Sequence, residues 1–170
     1  NAEKPVMIRY PKANVPAQTA EPAACHQPFE SGKSVTVRRA DDAEVTIVNF
    51  GVLLDEALVA AAQLAGEGLE VEVINARFAA PVDEQMIRQL RKGRTVITLE
   101  DHCSQCGFGS AFLEEAAKDS LDINRVHVLG VPKEFIRHDS RTTQLSKVGL
   151  TGEKIAEKIS SIMNVKSKTP

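Results

Sequence analysis

Apolar residues between Glu44 and Ile87 change their period twice, and that alternation sets the expected fold. Val45, Ile47 and Phe50 form a short β-branched and aromatic run closed by Gly51, the pattern of a strand covered on both faces. Leu54, Leu58, Ala61 and Ala65 then recur at helical spacing, Ala57 and Leu64 widen the stripe, and Gly66 and Gly68 end it. Strand character returns at Val71, Val73 and Ile74. Strand, helix and strand at these lengths predict a right-handed parallel crossover, because an antiparallel pair would need only a tight turn.

The same reading extends along the chain. Lys33 to Ala40 alternates Val35 and Val37 with polar residues, and Asp41-Asp42 supplies a turn before Val45; so short a connection predicts an antiparallel edge strand. Asp83 is placed to cap a helix from Glu84 to about Lys92, with Met86, Ile87 and Leu90 inward, Pro81 fixing its approach and Gly93 its end. Thr95–Leu99 reads as the next buried strand, Ser110 to Lys118 as a helix, and Val126–Val131 as the last strand. Two more helices are expected, from Ser140 to Val148 and, with Thr151 as cap, from Thr151 to Met163, where Ile155, Ile159 and Ile162 make the apolar stripe. The polar tail from Asn164 to Pro170 is expected to fray.

The fold predicted for residues 29–163 is α/β: a three-layer α/β/α domain on a five-stranded mixed sheet with one antiparallel edge strand. Ahead of it, Pro11, Pro16, Pro22 and Pro28 fall among Ala, Gln, Thr and Asn, the composition of a linker over residues 11–28. Val6 to Tyr10 reads as a strand with no neighbour in sequence, and Asn1 and Ala2 as a possible expression scar.

Composition narrows the function classes. The 170 residues are 42% hydrophobic and 26% charged, which suits one domain plus a flanking segment. A formal net charge of -2 gives no electrostatic footprint for nucleic acid or an anionic membrane, so neither is an expected partner. Without an apolar run of roughly 20 residues or a signal segment, a cytoplasmic location is expected. Three cysteines, Cys25, Cys103 and Cys106, argue against a disulfide framework in a chain this long.

The candidate chemistry is sparse. Cys103-Ser-Gln-Cys106 has the spacing of half a zinc site or of a redox pair, but only Cys25, His26 and His102 stand by as further ligands, and two unlinked loop thiols are the simpler expectation. Gly107-Phe108-Gly109-Ser110 leads into a helix whose amides could hold an anion, although close packing also explains the glycines. Glu100-Asp101-His102 falls at the carboxyl end of a parallel strand, where open α/β sheets bind ligands, and either acid–base work or a solvated strand end fits. His127 and His138 have no nucleophile at an interpretable spacing and default to structural or surface roles.

The ordered set Ile8-Arg9-Tyr10-Pro11, Ile47-Val48-Asn49-Phe50-Gly51, Asn75-Ala76-Arg77-Phe78, Thr98-Leu99-Glu100-Asp101, Gly107-Phe108-Gly109-Ser110, and Gly130-Val131-Pro132 with Phe135-Ile136 resembles the carboxyl-terminal third of the 1-deoxy-D-xylulose-5-phosphate synthase family. These are thiamine-diphosphate enzymes of the transketolase group. The resemblance implies a homodimeric three-domain enzyme that condenses pyruvate with glyceraldehyde 3-phosphate, releasing carbon dioxide, in isoprenoid and thiamine biosynthesis. It places residues 1–10 at the end of the second, pyrimidine-binding domain and residues 29–163 in the third, with the linker between them. Thiamine diphosphate and magnesium are then expected outside this piece, which would serve structure and assembly and be inactive alone. Arg9, matching an arginine near the substrate phosphate, is the one position carried over as substrate-binding; no catalytic, cofactor or metal residue is. The matching domain of 2-oxo-acid dehydrogenase beta-type subunits docks a partner protein, an alternative of a different class, but Phe135 to Ile162 resembles the synthase more closely.

Overall fold

The computed structural model describes residues 27–166, with side chains to 163, together with Pro5 and Met7. The elements follow the order β1 (Val35–Arg38), β2 (Val45–Phe50), α1 (Leu54–Gly66), β3 (Val71–Asn75), α2 (Glu84–Arg91), β4 (Thr95–Cys103), α3 (Phe108–Lys118), β5 (Val126–Val131), α4 (Arg141–Val148) and α5 (Gly152–Lys166). The strands form a five-stranded sheet in the order β1-β3-β2-β4-β5. β2 pairs in parallel with β3 and β4, β4 pairs in parallel with β5, and β1 runs antiparallel along β3. The expected α/β architecture with one antiparallel edge strand is therefore present.

Burial on both faces explains the β-branched runs in the central strands. On one face α1, α4 and α5 close over Ile47, Val73, Ile97 and Leu99; on the other α2 and α3 close over Val48, Ile74 and Val96, with Met86, Ile87 and Phe112 filling that layer. α1 buries Ala57, Ala60, Ala61 and Leu64 completely, while Leu54 and Leu58 flank the stripe half-buried. That alanine-lined surface lets α5 approach closely. A Cβ on Gly152 would come within 2.5 Å of Val59, and the Gly152 amide donates to the Glu56 carboxylate.

Caps set the ends of the helices. Asp83 Oδ1 accepts the amide of Gln85 at 3.2 Å, and its Oδ2 accepts the Ser34 amide and hydroxyl at 2.7 and 2.9 Å, so one carboxylate starts α2 and ties it to the approach of β1. Burial pushes the Asp83 carboxyl up, but the Ser34 and Gln85 amides outweigh it and hold it below the ordinary carboxylate value. Ser140 Oγ accepts the Thr143 amide at the start of α4, and Gly149 ends that helix at φ 74°.

Four expectations need correction. The strand at residues 35–38 is an antiparallel edge strand, but it pairs with β3 and not with β2, to which it is joined by a short connection. Both edges of β2 are taken by longer parallel ladders, and β1 reaches only the outer side of β3. β4 continues past Leu99 to Cys103 because β5 pairs with it on that side as far as Val131. α3 begins at Phe108, two residues before Ser110, since a carboxylate captures its first amides. α5 passes the expected end at Met163 and runs to Lys166.

Candidate functional site

The chain leaves β2 through α1 on one face of the sheet and leaves β4 through α3 on the other. Where neighbouring strands send their connections to opposite faces, a crevice opens beyond their carboxyl ends. Here it is a cleft of about 820 Å³. Phe50, Gly51 and Val52 line it from the end of β2, Glu100, Asp101 and His102 from the end of β4, and Cys106, Gly107, Phe108 and Ala111 from the start of α3. Ala79 and Ala80 close one side and Arg141 another. The walls are mostly apolar. Phe50 and Phe108 stack with centroids 5.4 Å apart.

Glu100 is the group on which this end of the sheet is built. Its side chain is 1% exposed, Oε2 accepts the Phe108 amide at 2.8 Å, and Oε1 accepts the Gly109 amide at 2.9 Å. The positive end of α3 is thus already neutralised by a carboxylate from β4, eight and nine residues earlier in the chain. The anion-binding expectation for Gly107 to Ser110 is met from within, and the packing expectation explains both glycines. A Cβ on Gly107 would strike the Glu100 carboxylate, and one on Gly109 would lie 2.6 Å from Val128 and 2.7 Å from Thr98 Oγ1.

The other polar groups are partnered or peripheral. Asp101 binds Arg141 Nη1 at 2.8 Å, joining the end of β4 to the first residue of α4. His102 is exposed, with Nδ1 3.9 Å from Glu100 Oε2. His127 is the second residue of β5. His138 stands on the surface beside Asp139, whose carboxyl is held below its ordinary value by Lys147 at 2.7 Å and the Ser140 amide. The cleft brings Glu100, Asp101 and His102 together at the strand end where the sequence placed them and adds Cys106, which the sequence reading had left as a separate loop thiol, but joins neither His127 nor His138 to them. Both oxygens of Glu100 accept amides, which leaves it a structural anchor and not a poised base.

Arg9, the strand expected over Val6 to Tyr10 apart from Met7, Cys25 and His26 lie outside the described residues. Sequence reasoning gave no role to Arg77 or Arg141. Arg77 donates to the Pro28 and Gln27 carbonyls at 3.1 and 3.0 Å and stacks 4.5 Å over the Phe29 ring, holding the chain as it enters the domain. The only local signal for it was its place in Asn75-Ala76-Arg77-Phe78.

A diphosphate with magnesium does not fit these residues. It needs free amides or cations for the phosphates and converging oxygen ligands for the metal. The α3 amides are held by Glu100, and among the described residues no three His, Cys, Asp or Glu side chains converge as a metal site.

Residues 32–155 match the family model described as transketolase, C-terminal domain. Among curated relatives, the 1-deoxy-D-xylulose-5-phosphate synthase of Rhodopirellula baltica is 45% identical over 91% of this chain, and that of Geobacillus thermodenitrificans 33% identical over 96%. The chain spans about a quarter of the length of these relatives, 24% and 26% respectively. Among solved structures, a split-gene transketolase described as an inactive beta4 tetramer superposes with a TM-score of 0.67 at 27% identity, covering 78% of this chain and 43% of that one. A Pichia stipitis transketolase superposes at 0.61 with 18% identity over 82% of this chain and 19% of its own, a likeness of fold alone. A family model matched over most of the chain settles the membership: this chain belongs to the transketolase C-terminal domain family.

Proposed function

We propose that this chain is the C-terminal part of a 1-deoxy-D-xylulose-5-phosphate synthase, a cytoplasmic homodimer whose complete form condenses pyruvate with glyceraldehyde 3-phosphate and releases carbon dioxide. Identity of 45% to a synthase over 91% of the chain supports this reading. Within that enzyme the domain contributes packing and assembly, and the thiamine diphosphate and magnesium are held by other segments. The observation that carries the division of labour is Glu100: the helix start best placed to receive a phosphate is closed by the domain's own carboxylate. Arg9 is assigned to the phosphate of the acceptor substrate, ahead of the domain.

Two measurements test the proposal. By titration calorimetry the isolated chain should show no magnesium-dependent binding of thiamine diphosphate, and with pyruvate and glyceraldehyde 3-phosphate it should form no product. Supplied with a separately made polypeptide carrying the preceding two domains of a synthase, it should restore product formation. Micromolar cofactor binding by the chain alone, or failure to restore activity to a folded partner polypeptide, would overturn it.

A further inference from the structure

Cys103 ends β4, half-buried and in register with Val131. Cys106 is exposed, lines the cleft, and takes a left-handed conformation at φ 61° with its amide donating to Ser110 Oγ at 3.0 Å. Between the two the chain doubles back. The Ser104 amide is held by the Val131 carbonyl at 2.9 Å, and the Cys103 carbonyl oxygen lies 2.8 Å from the point where a Cβ on Gly107 would stand. Residues 104–107 form a bend, so the two free thiols, three positions apart, stand on either side of one change of chain direction.

We propose that Cys103 and Cys106 are a thiol–disulfide site that closes reversibly by exchange with a small-molecule disulfide of the glutathione disulfide class. The exposure difference sets the order of events. The Cys106 thiolate attacks one sulfur of the oxidant, forms a mixed disulfide and expels one thiolate; the Cys103 thiolate then attacks Cys106 sulfur and expels the second. One S–S bond is consumed and one is formed. The protein gives up two protons and two electrons, and the oxidant leaves as two thiols. The new bond ties the cleft wall at Cys106 to the end of β4, directly ahead of Gly107. The site is independent of the activity of the complete enzyme, since it requires only this turn.

The test uses the full chain carrying Cys25→Ser, so that only these two thiols react. Treated with glutathione disulfide, it should lose the mass of two hydrogens, carry no adduct at completion, and return to the starting mass with dithiothreitol. Adding Cys103→Ser should trap a stable glutathione adduct on Cys106, whereas adding Cys106→Ser should slow adduct formation on the order of tenfold, because the remaining thiol is half-buried. Circular dichroism verifies that each variant is folded. Separate adducts on both cysteines of the Cys25→Ser protein would overturn the site. So would a folded protein that stays reduced under conditions where the same chain in urea oxidises. Equal adduct rates in the two single-thiol variants would overturn the order of attack.

Discussion

Replacing Glu100 with alanine removes the acceptor of two buried amides at once and should be among the costly single changes in this domain. Phe108 and Gly109 donate to Glu100 at 2.8 and 2.9 Å, and both residues are buried, Phe108 stacked on Phe50 and Gly109 against Thr98 and Val128. A hydrogen bond to a charged group contributes about 1.5–3 kcal/mol, and the charge at a helix start about 0.3–1 kcal/mol more. Water entering the vacated space from the cleft can satisfy part of that loss, so the expected cost is about 2–4 kcal/mol out of a domain stability of roughly 5–15 kcal/mol. Glu100→Gln keeps one acceptor but turns an NH2 group toward the second amide, and should cost about 1.5–3 kcal/mol. Urea unfolding followed by circular dichroism reads both, with an unchanged m-value showing that the same surface is exposed. The vacated helix start supplies a second readout. Sulfate or inorganic phosphate should raise the midpoint of Glu100→Ala more than that of the parent, because only the variant has free amides there. A cost below about 0.5 kcal/mol for Glu100→Ala, or equal anion stabilisation of both proteins, would refute the assignment of Glu100 as the internal cap of α3.

Three further outcomes are expected. Arg94, buried at the opposite end of the sheet, reaches Glu72 at 2.8 Å, Gln89 at 3.0 Å and the Ala40 and Asp41 carbonyls at 3.0 and 2.8 Å, so Arg94→Met should lose about 3–5 kcal/mol in urea unfolding; Glu72→Leu added to it should recover part of this by removing the stranded carboxylate. Asp83 is held below its ordinary value of 3.8, so its contribution is present above that pH and is lost as pH falls through the lowered folded value; Asp83→Asn should cost about 1 kcal/mol at neutral pH and flatten the acid limb of a stability-versus-pH curve. In the complete enzyme, Arg9→Ala should raise KM for glyceraldehyde 3-phosphate about 10- to 100-fold with a smaller change in kcat and little change for pyruvate, as steady-state kinetics with each substrate varied will read.

The elements of this domain are written locally. Period-two and continuous apolar runs at Val45–Phe50 and Val126–Val131 specify strands, and Asp83, Ser140, Gly93 and Gly149 mark helix ends, because a cap or a turn needs only groups a few residues apart. The parallel core followed from one crossover, and the position of Glu100-Asp101-His102 at a strand's carboxyl end followed from the element order. What the sequence could not supply are pairings between distant segments. The partner of β1 was decided by competition for the edges of β2, which depends on how many ladder bonds β3 and β4 each bring. Glu100 looked like any acidic residue at a strand end until the fold laid α3 against it, and the same placement turned Gly107 and Gly109 from candidate anion binders into spacers. Arg141 meets Asp101 across 40 positions and Arg94 meets Glu72 across 22, and neither charge carries a local mark of its partner. Local free-energy preferences choose helix or strand; only packing in three dimensions decides which buried charge is left to neutralise which.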